Sequence, residues 1–207
     1  MALKQAQRSV AALHSAAKQE LPHVHRLLEV STKSESELGT KLSAFNLFIT
    51  TVKHEQTFSV ESAYQASKVF ERGGPYDDLL HMKSIDAKRD PRLVQSGRLI
   101  GFRFFGREWK LEPRTAFYDW LYMNALHRRD DLASEVLQYD AFTDIAFNPE
   151  RSLNCQAYAV ALYVSLSRRG LLSTDTLKDP EAYLDVVRHA TANNAHENST
   201  PQDQFKF

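Results

Sequence analysis

Hydrophobic residues recur along this chain at helical spacing far more often than they alternate. Leu3, Val10, Leu13 and Ala17 share one side of residues 3 to 18 and predict an amphipathic helix that Pro22 interrupts. A short second helix is expected over His23 to Val30, then a polar connector from Ser31 to Thr40. Ser43 to Thr51 is apolar with β-branched residues at its end and reads as a strand or a buried segment. Thr57 or Ser59 can cap a helix that runs to Phe70 and is stopped by Gly73-Gly74-Pro75. Asp77 to Ser84 reads as helical, Asp86 to Gln95 as a charged segment broken by Pro91, and Leu99 to Leu111 as a short hairpin around Gly106. Pro113 opens a helix to about His127, and Asp130 caps another to about Leu137. Asp140 to Pro149 is a loop holding Asp140 and Asp144. Ser152 to Arg169, closed by Gly170, is the most apolar helix and the expected centre of the core. Asp179-Pro180-Glu181 starts a last helix that ends near Ala190. The pattern predicts a mainly α fold, a single domain over residues 1–190 with at most a small β element. Residues 191–207, rich in Asn, Ser and Gln, are expected to form a disordered tail.

The helix from Ser59 to Phe70 carries an unusual polar stripe. Glu61, Gln65 and Lys68 lie at i, i+4 and i+7, within roughly 60° at about 100° per residue. Val60 and Tyr64 border the stripe on one flank and Val69 on the other. A surface helix usually spreads its charges over a wide solvent face. An acid, an amide and an amine gathered into a line between apolar neighbours suit a helix lining a polar pocket. The commoner alternative is a solvated face carrying an acid and a base.

Composition narrows the class without naming a function. The 207 residues are 43% hydrophobic and 25% charged, as in ordinary globular proteins. Net charge is zero, so bulk electrostatics gives no drive toward non-specific DNA or membrane binding. Cys155 is the only cysteine; no internal disulfide can form, which fits a reducing compartment. The N-terminus lacks the apolar core of a signal peptide, and no run approaches the ~20 apolar residues of a membrane span. A soluble, cytoplasmic protein is expected. His23 and His25 have no evident third ligand, and neither a glycine-rich dinucleotide fingerprint nor a P-loop is present, so no metal and no cofactor are expected.

Ser59-Val-Glu-Ser-Ala-Tyr-Gln-Ala-Ser-Lys-Val-Phe70 resembles the signature helix of the NADAR (YbiA-like) family, Ser-x-Glu-His-x-x-Gln-x-x-Lys-Phe. Leu42-Ser-Ala-Phe-Asn-Leu47 is similar to the family's Leu-Ser-Asn-Phe segment, and Asp86-Ala-Lys-Arg89 with Ser96-Gly-Arg98 to its basic segment. Lys68-Val-Phe-Glu-Arg-Gly-Gly-Pro-Tyr76, Thr115-Ala-Phe-Tyr-Asp-Trp-Leu-Tyr122, Tyr139-Asp-Ala-Phe-Thr-Asp144 and Phe147-Asn-Pro149 resemble the branch encoded beside DarT toxins. The likeness spans roughly residues 28 to 172. Two departures stand out. Ser62 replaces the family's frequent histidine, which removes any mechanism that needs an imidazole there. The Trp-Gly-rich loop of the YbiA branch is absent, and Asp144-Ile-Ala-Phe-Asn-Pro149 occupies that region.

The resemblance implies a NADAR/YbiA-like fold and a definite chemistry. DarT toxins transfer ADP-ribose from NAD to a DNA base, and NADAR partners of the guanine-directed kind remove it. The implied substrate is ADP-ribosylated guanine in DNA, with ADP-ribose as product and a cognate DarT toxin as a candidate partner. An N-glycosidic bond breaks through an oxocarbenium-like state that a carboxylate stabilises, or for which it activates water, and Glu61 is the first choice for this role. A lysine desolvated at a pocket edge can attack ring-opened ribose as a Schiff base, and the resemblance makes Lys68 the candidate nucleophile. Lys33, Lys88, Arg89 and Arg98 are candidate pyrophosphate partners; for each, a solvated surface charge is the alternative. The N-terminus of the Ser152 helix is a second candidate phosphate site. Trp120 and Tyr122 are candidate base-stacking residues, with core aromatics as the alternative. Asn46, Gln65, Asp119, Asp144 and Asn148 complete the candidate substrate contacts. Two other readings stay open: a small-molecule N-glycosidase of the YbiA type, and a non-catalytic antitoxin that binds the toxin or the modified DNA.

Overall fold

A computed structural model describes residues 2–51, 55–150 and 152–189. The expected tail from residue 191 lies outside the described residues. Helix dominates, and the β content is confined to short strands in three small sheets. The chain opens with α1 (Leu3–Glu20), β1 (Leu27–Glu29) and α2 (Glu37–Lys41), then β2 (Phe48–Thr50) and β3 (Thr57–Ser59). It continues through α3 (Val60–Ala66), β4 (Lys68–Phe70), a 3-10 turn (Asp77–His81), α4 (Ser84–Lys88) and α5 (Arg92–Gln95). The hairpin β5 (Leu99–Phe104) and β6 (Arg107–Trp109) leads to α6 (Ala116–His127), α7 (Asp130–Val136), β7 (Ala141–Thr143), α8 (Gln156–Arg168), α9 (Thr174–Lys178) and α10 (Pro180–His189).

The most enclosed element is α6, whose residues 116–123, 125 and 126 are all buried. Its sequence, Ala-Phe-Tyr-Asp-Trp-Leu-Tyr-Met-Asn-Ala-Leu-His, is apolar on every side, as a helix surrounded by others must be. It touches α3, α7, α8, α9, α10 and β2. The helix expected to be central, α8, starts at Gln156 rather than Ser152 and keeps a solvent side. On α1 the buried positions are Ala6 and Val10, while Leu3 and Leu13 of the expected apolar face are 51% and 43% exposed. Among the described residues no helix is long and apolar enough to cross a membrane.

Three departures from the hydrophobic pattern shape the site. Residues 23–30 hold a strand, not a helix: β1 pairs in parallel with β7, Leu28 opposite Phe142, so the 140–149 loop also contains a strand. Gly39 permits the approach of α2 to β1, since a Cβ there would stand 2.0 Å from the Glu29 carbonyl. The signature helix ends at Ala66. Its next residues, Lys68-Val-Phe70, join a three-stranded antiparallel sheet in which Lys68 faces Phe102 and Val69 faces Gly101. The Ser67 carbonyl already accepts a bond from Arg103 N at 2.7 Å, so the chain leaves the helix for the ladder at that point.

Of the two expected caps, Ser59 starts α3 and Thr57 lies in β3. The Ser59 hydroxyl accepts from Ser62 N at 3.0 Å, donates to Ser62 Oγ at 2.9 Å, and lies 2.8 Å from Ser84 Oγ, joining α3 to α4. Ser62, in place of histidine, spends its own hydroxyl on the Met82 carbonyl. Ser59→Ala is therefore expected to cost about 1–2 kcal/mol, the worth of a helix cap. A urea titration checks this: the midpoint falls and the slope is retained.

Candidate functional site

The first turn of α3 is fixed from below. Glu61 N donates to Ala44 O and Val60 N to Leu47 O, both at 2.9 Å. Ala44 N in turn donates to Gln156 Oε1 at 2.6 Å, and Ser43 Oγ reaches the same oxygen at 3.1 Å. Gln156 Nε2 donates to Asp144 Oδ2 at 3.0 Å. One amide side chain at the start of α8 thus ties the 43–47 turn to the 144–149 loop.

Glu61 is only 5% exposed. Its Oε1 accepts from Gln65 Nε2 at 2.8 Å and stands 3.5 Å from Lys88 Nζ, which comes from α4 and remains half in solvent. Lys88 also lies over the Phe45 ring at 5.2 Å. Gln65 is buried, and its Oε1 has no hydrogen-bond partner. An enclosed carbonyl without a donor costs free energy unless a ligand or water supplies one.

Lys68 reaches the same region from β4. Its Nζ lies 4.8 Å from the Tyr64 ring centroid and makes no salt bridge or hydrogen bond among the described residues. Burial pulls its pKa down to about 8; Glu61 opposes that shift and Lys88 reinforces it. A cation–π contact tolerates the ammonium without satisfying its hydrogen bonds. Burial raises the Tyr64 pKa well above its ordinary value, and the nearby Asn154 side chain opposes that rise.

The other candidates divide. Asp144 sits near the site through Gln156; burial raises its pKa against that hydrogen bond, and the Glu29 carboxylate adds to the rise. Asp119 is buried on α6, accepts from Thr115 Oγ1 at 2.7 Å, and leaves Oδ1 unpartnered. Burial pushes its pKa up to about 7. Arg89 is exposed beside Lys88, and Lys33 is partly buried after β1. Asn46 turns away to the Thr40 carbonyl at 2.9 Å. Arg98 pairs with Glu71 at 3.4 Å. Asn148 is exposed and accepts from Glu150 N at 2.9 Å within its own turn. Trp120 is a core residue: its indole N–H goes to Leu177 O at 2.9 Å and its ring packs 4.9 Å from Trp109. The α8 N-terminus contributes Gln156 to the network around Asp144.

Sequence reasoning missed Glu29. It is buried, and accepts from Ser31 Oγ and Thr143 Oγ1 at 2.6 Å and from Ile145 N at 2.9 Å, fixing the loop that carries Asp144. Its only signal was an acid among apolar neighbours in a segment read as helix. Gln156 gave a similar weak signal, as the amide just before an apolar run. Among the described residues no group of three or more His, Cys, Asp or Glu could hold a metal ion. Two surface clefts, one beside Ala66 and Phe105 and one beside His127 and Tyr163, share no residue with this constellation.

The constellation is thus a buried carboxylate, an enclosed unpartnered carbonyl and a desolvated amine without a counter-ion, with a half-exposed cation at the rim. It suits a ligand that is neutral or cationic at its reacting carbon and anionic further out. A family model described as DarT1-associated NADAR antitoxin matches residues 1–197. No curated protein matches the chain. The family model spans nearly all of the sequence, including every residue of the constellation, and the chain belongs to the DarT1-associated NADAR antitoxin family.

Proposed function

We propose that the protein is an ADP-ribosyl glycohydrolase that releases ADP-ribose from guanine in DNA and so reverses a DarT1-type toxin. The observation that carries this reading is that the Lys68 amine lies within electrostatic reach of Glu61 while the two form no ion pair. Glu61 is held by Gln65 and Lys88, and Lys68 rests on an aromatic face.

In this reading the neutral Lys68 amine adds to C1 of the ring-opened ribose. The guanine nitrogen leaves with a proton relayed by Glu61, and water hydrolyses the Lys68 imine, returning the free amine and ADP-ribose. Gln65 orients Glu61 through its amide N–H. Lys88 and Arg89 meet the pyrophosphate from the rim. Lys88 leaves Glu61 with little loss, because a half-exposed pair is weak. Asp144 is a candidate for the sugar or the base. The engagement of Asn46, Arg98 and Trp120 by Thr40, Glu71 and Leu177 favours a compact ribose-centred site over one spread along the basic segment.

The direct test is incubation with an oligonucleotide bearing ADP-ribosylated guanine, followed by mass analysis. Unmodified guanine and free ADP-ribose are the expected products. Glu61→Gln should keep the melting temperature within a few degrees and slow release roughly 10²–10⁴-fold. Near-wild-type turnover by that variant excludes Glu61 from the chemistry.

Lys68 gives the reaction a pH signature. Only the free amine attacks, and at pH 7 a pKa of about 8 leaves roughly one molecule in ten in that form. The rate is expected to rise with pH through about 8 and then level off, and borohydride during turnover should trap a Lys68 adduct. A flat profile with no adduct, together with full activity in Lys68→Arg, reduces Lys68 to a charge contact.

Free ADP-ribose should raise the melting temperature, because it binds only the folded state. Tight binding of unmodified DNA with no shift from millimolar ADP-ribose favours instead an antitoxin that acts by binding alone.

A further inference from the structure

Tyr118, on α6, is 4% exposed. Its ring meets Tyr64 edge to face at 5.2 Å, and Tyr64 is the ring on which the Lys68 ammonium rests. Its hydroxyl makes no hydrogen bond among the described residues. It is also not among the fully enclosed polar atoms that lack a partner, which are Gln65 Oε1, Trp109 Nε1, Asp119 Oδ1 and Tyr183 OH. The Tyr118 hydroxyl therefore opens on accessible space.

Tyr122, one turn further along the same helix, gives the contrast. Its ring lies 6.2 Å from that of Tyr118, and its hydroxyl donates to the Leu42 carbonyl. One tyrosine is spent on the fold and the other is not. The Tyr118 ring is buried while its hydroxyl is left to a partner from outside the described protein. Burial and then the Glu61 carboxylate hold the Tyr118 pKa well above its ordinary value, with Tyr122, Asp144 and Asp119 adding to the rise. The group is thus a protonated donor at every physiological pH.

We propose that Tyr118 touches the substrate, its phenolic O–H donating a hydrogen bond to an oxygen of the ribose held between Glu61 and Lys68. The proposal rests on the glycohydrolase reading and adds a third element to that site, α6 beside α3 and β4. This role does not need Tyr118 to lose its proton.

Tyr118→Phe tests it, because the change removes only the oxygen. In the full chain, the melting temperature should hold or rise, since no intramolecular bond is lost. Release of ADP-ribose from modified DNA should fall tenfold or more in kcat/KM, and calorimetric affinity for free ADP-ribose should fall about tenfold, the worth of one neutral hydrogen bond. Tyr122→Phe is the control for the melting measurement and should lower it. Unchanged kcat/KM and ADP-ribose affinity in Tyr118→Phe overturn the proposal. A melting loss as large as that of Tyr122→Phe, with activity intact, also overturns it and assigns the hydroxyl a structural partner. If the wild-type chain neither releases nor binds ADP-ribose, the glycohydrolase reading itself fails, a result visible before the variant is compared.

Discussion

The three hydrogen bonds of the Gln156 side chain tie the 43–47 turn and the Asp144 loop to the start of α8. The carbonyl end takes the Ser43 hydroxyl and the Ala44 N–H; the amino end takes the Asp144 carboxylate. Ala44 then fixes Glu61 through its own carbonyl. The placement of the carboxylate in α3 is therefore inherited, bond by bond, from the first residue of a helix far along the chain. Such a chain is stiff because every polar group in it is used, and the loss of one member leaves another buried and unpaired. Glu29 plays the parallel role below the 143–145 segment, with three donors on one carboxylate.

This construction separates two kinds of polar group. Gln156, Glu29, Ser59 and Tyr122 are satisfied by the protein and specify its shape. Gln65 Oε1 is fully enclosed and unsatisfied, and the partly buried Lys68 ammonium rests on the Tyr64 ring with no hydrogen bond or ion pair among the described residues. Unfilled hydrogen-bonding capacity in a well-packed interior is costly and persists where something outside the chain fills it. The functional reading follows from that distinction more than from charge, which sums to zero over the molecule.

Much of this was legible in the sequence. The i, i+4 spacing of Glu61 and Gln65 on an apolar-flanked helix predicts their contact, and Ser59 announces the cap. Pro113, Gly170 and Pro180 bracket the later helices close to their observed limits. The strands β1 and β7 were not legible. Each has three residues, too few to show alternation, and their pairing joins segments far apart in the sequence. The choice of partner by a polar side chain was equally hidden. Asn46, Arg98 and Trp120 have suitable chemistry for a nucleotide, yet the fold gives them to Thr40, Glu71 and Leu177. Tyr118 looked like one more aromatic in an apolar helix, and only the missing partner of its hydroxyl sets it apart.

The end of α3 at Ala66 has a consequence beyond the position of one side chain. Glu61 belongs to a helix and Lys68 to a sheet, with Ser67 as the joint between them. A single rigid rod would fix their separation by its pitch alone. Split in this way, the separation is set by how the ladder through Phe102 docks against the helix layer, so it is a property of tertiary structure. The twelve-residue signature from Ser59 to Phe70 is in this sense not a portable cassette. Transplanted as a helical peptide, it would carry the right letters and lack the spacing that gives them a common target.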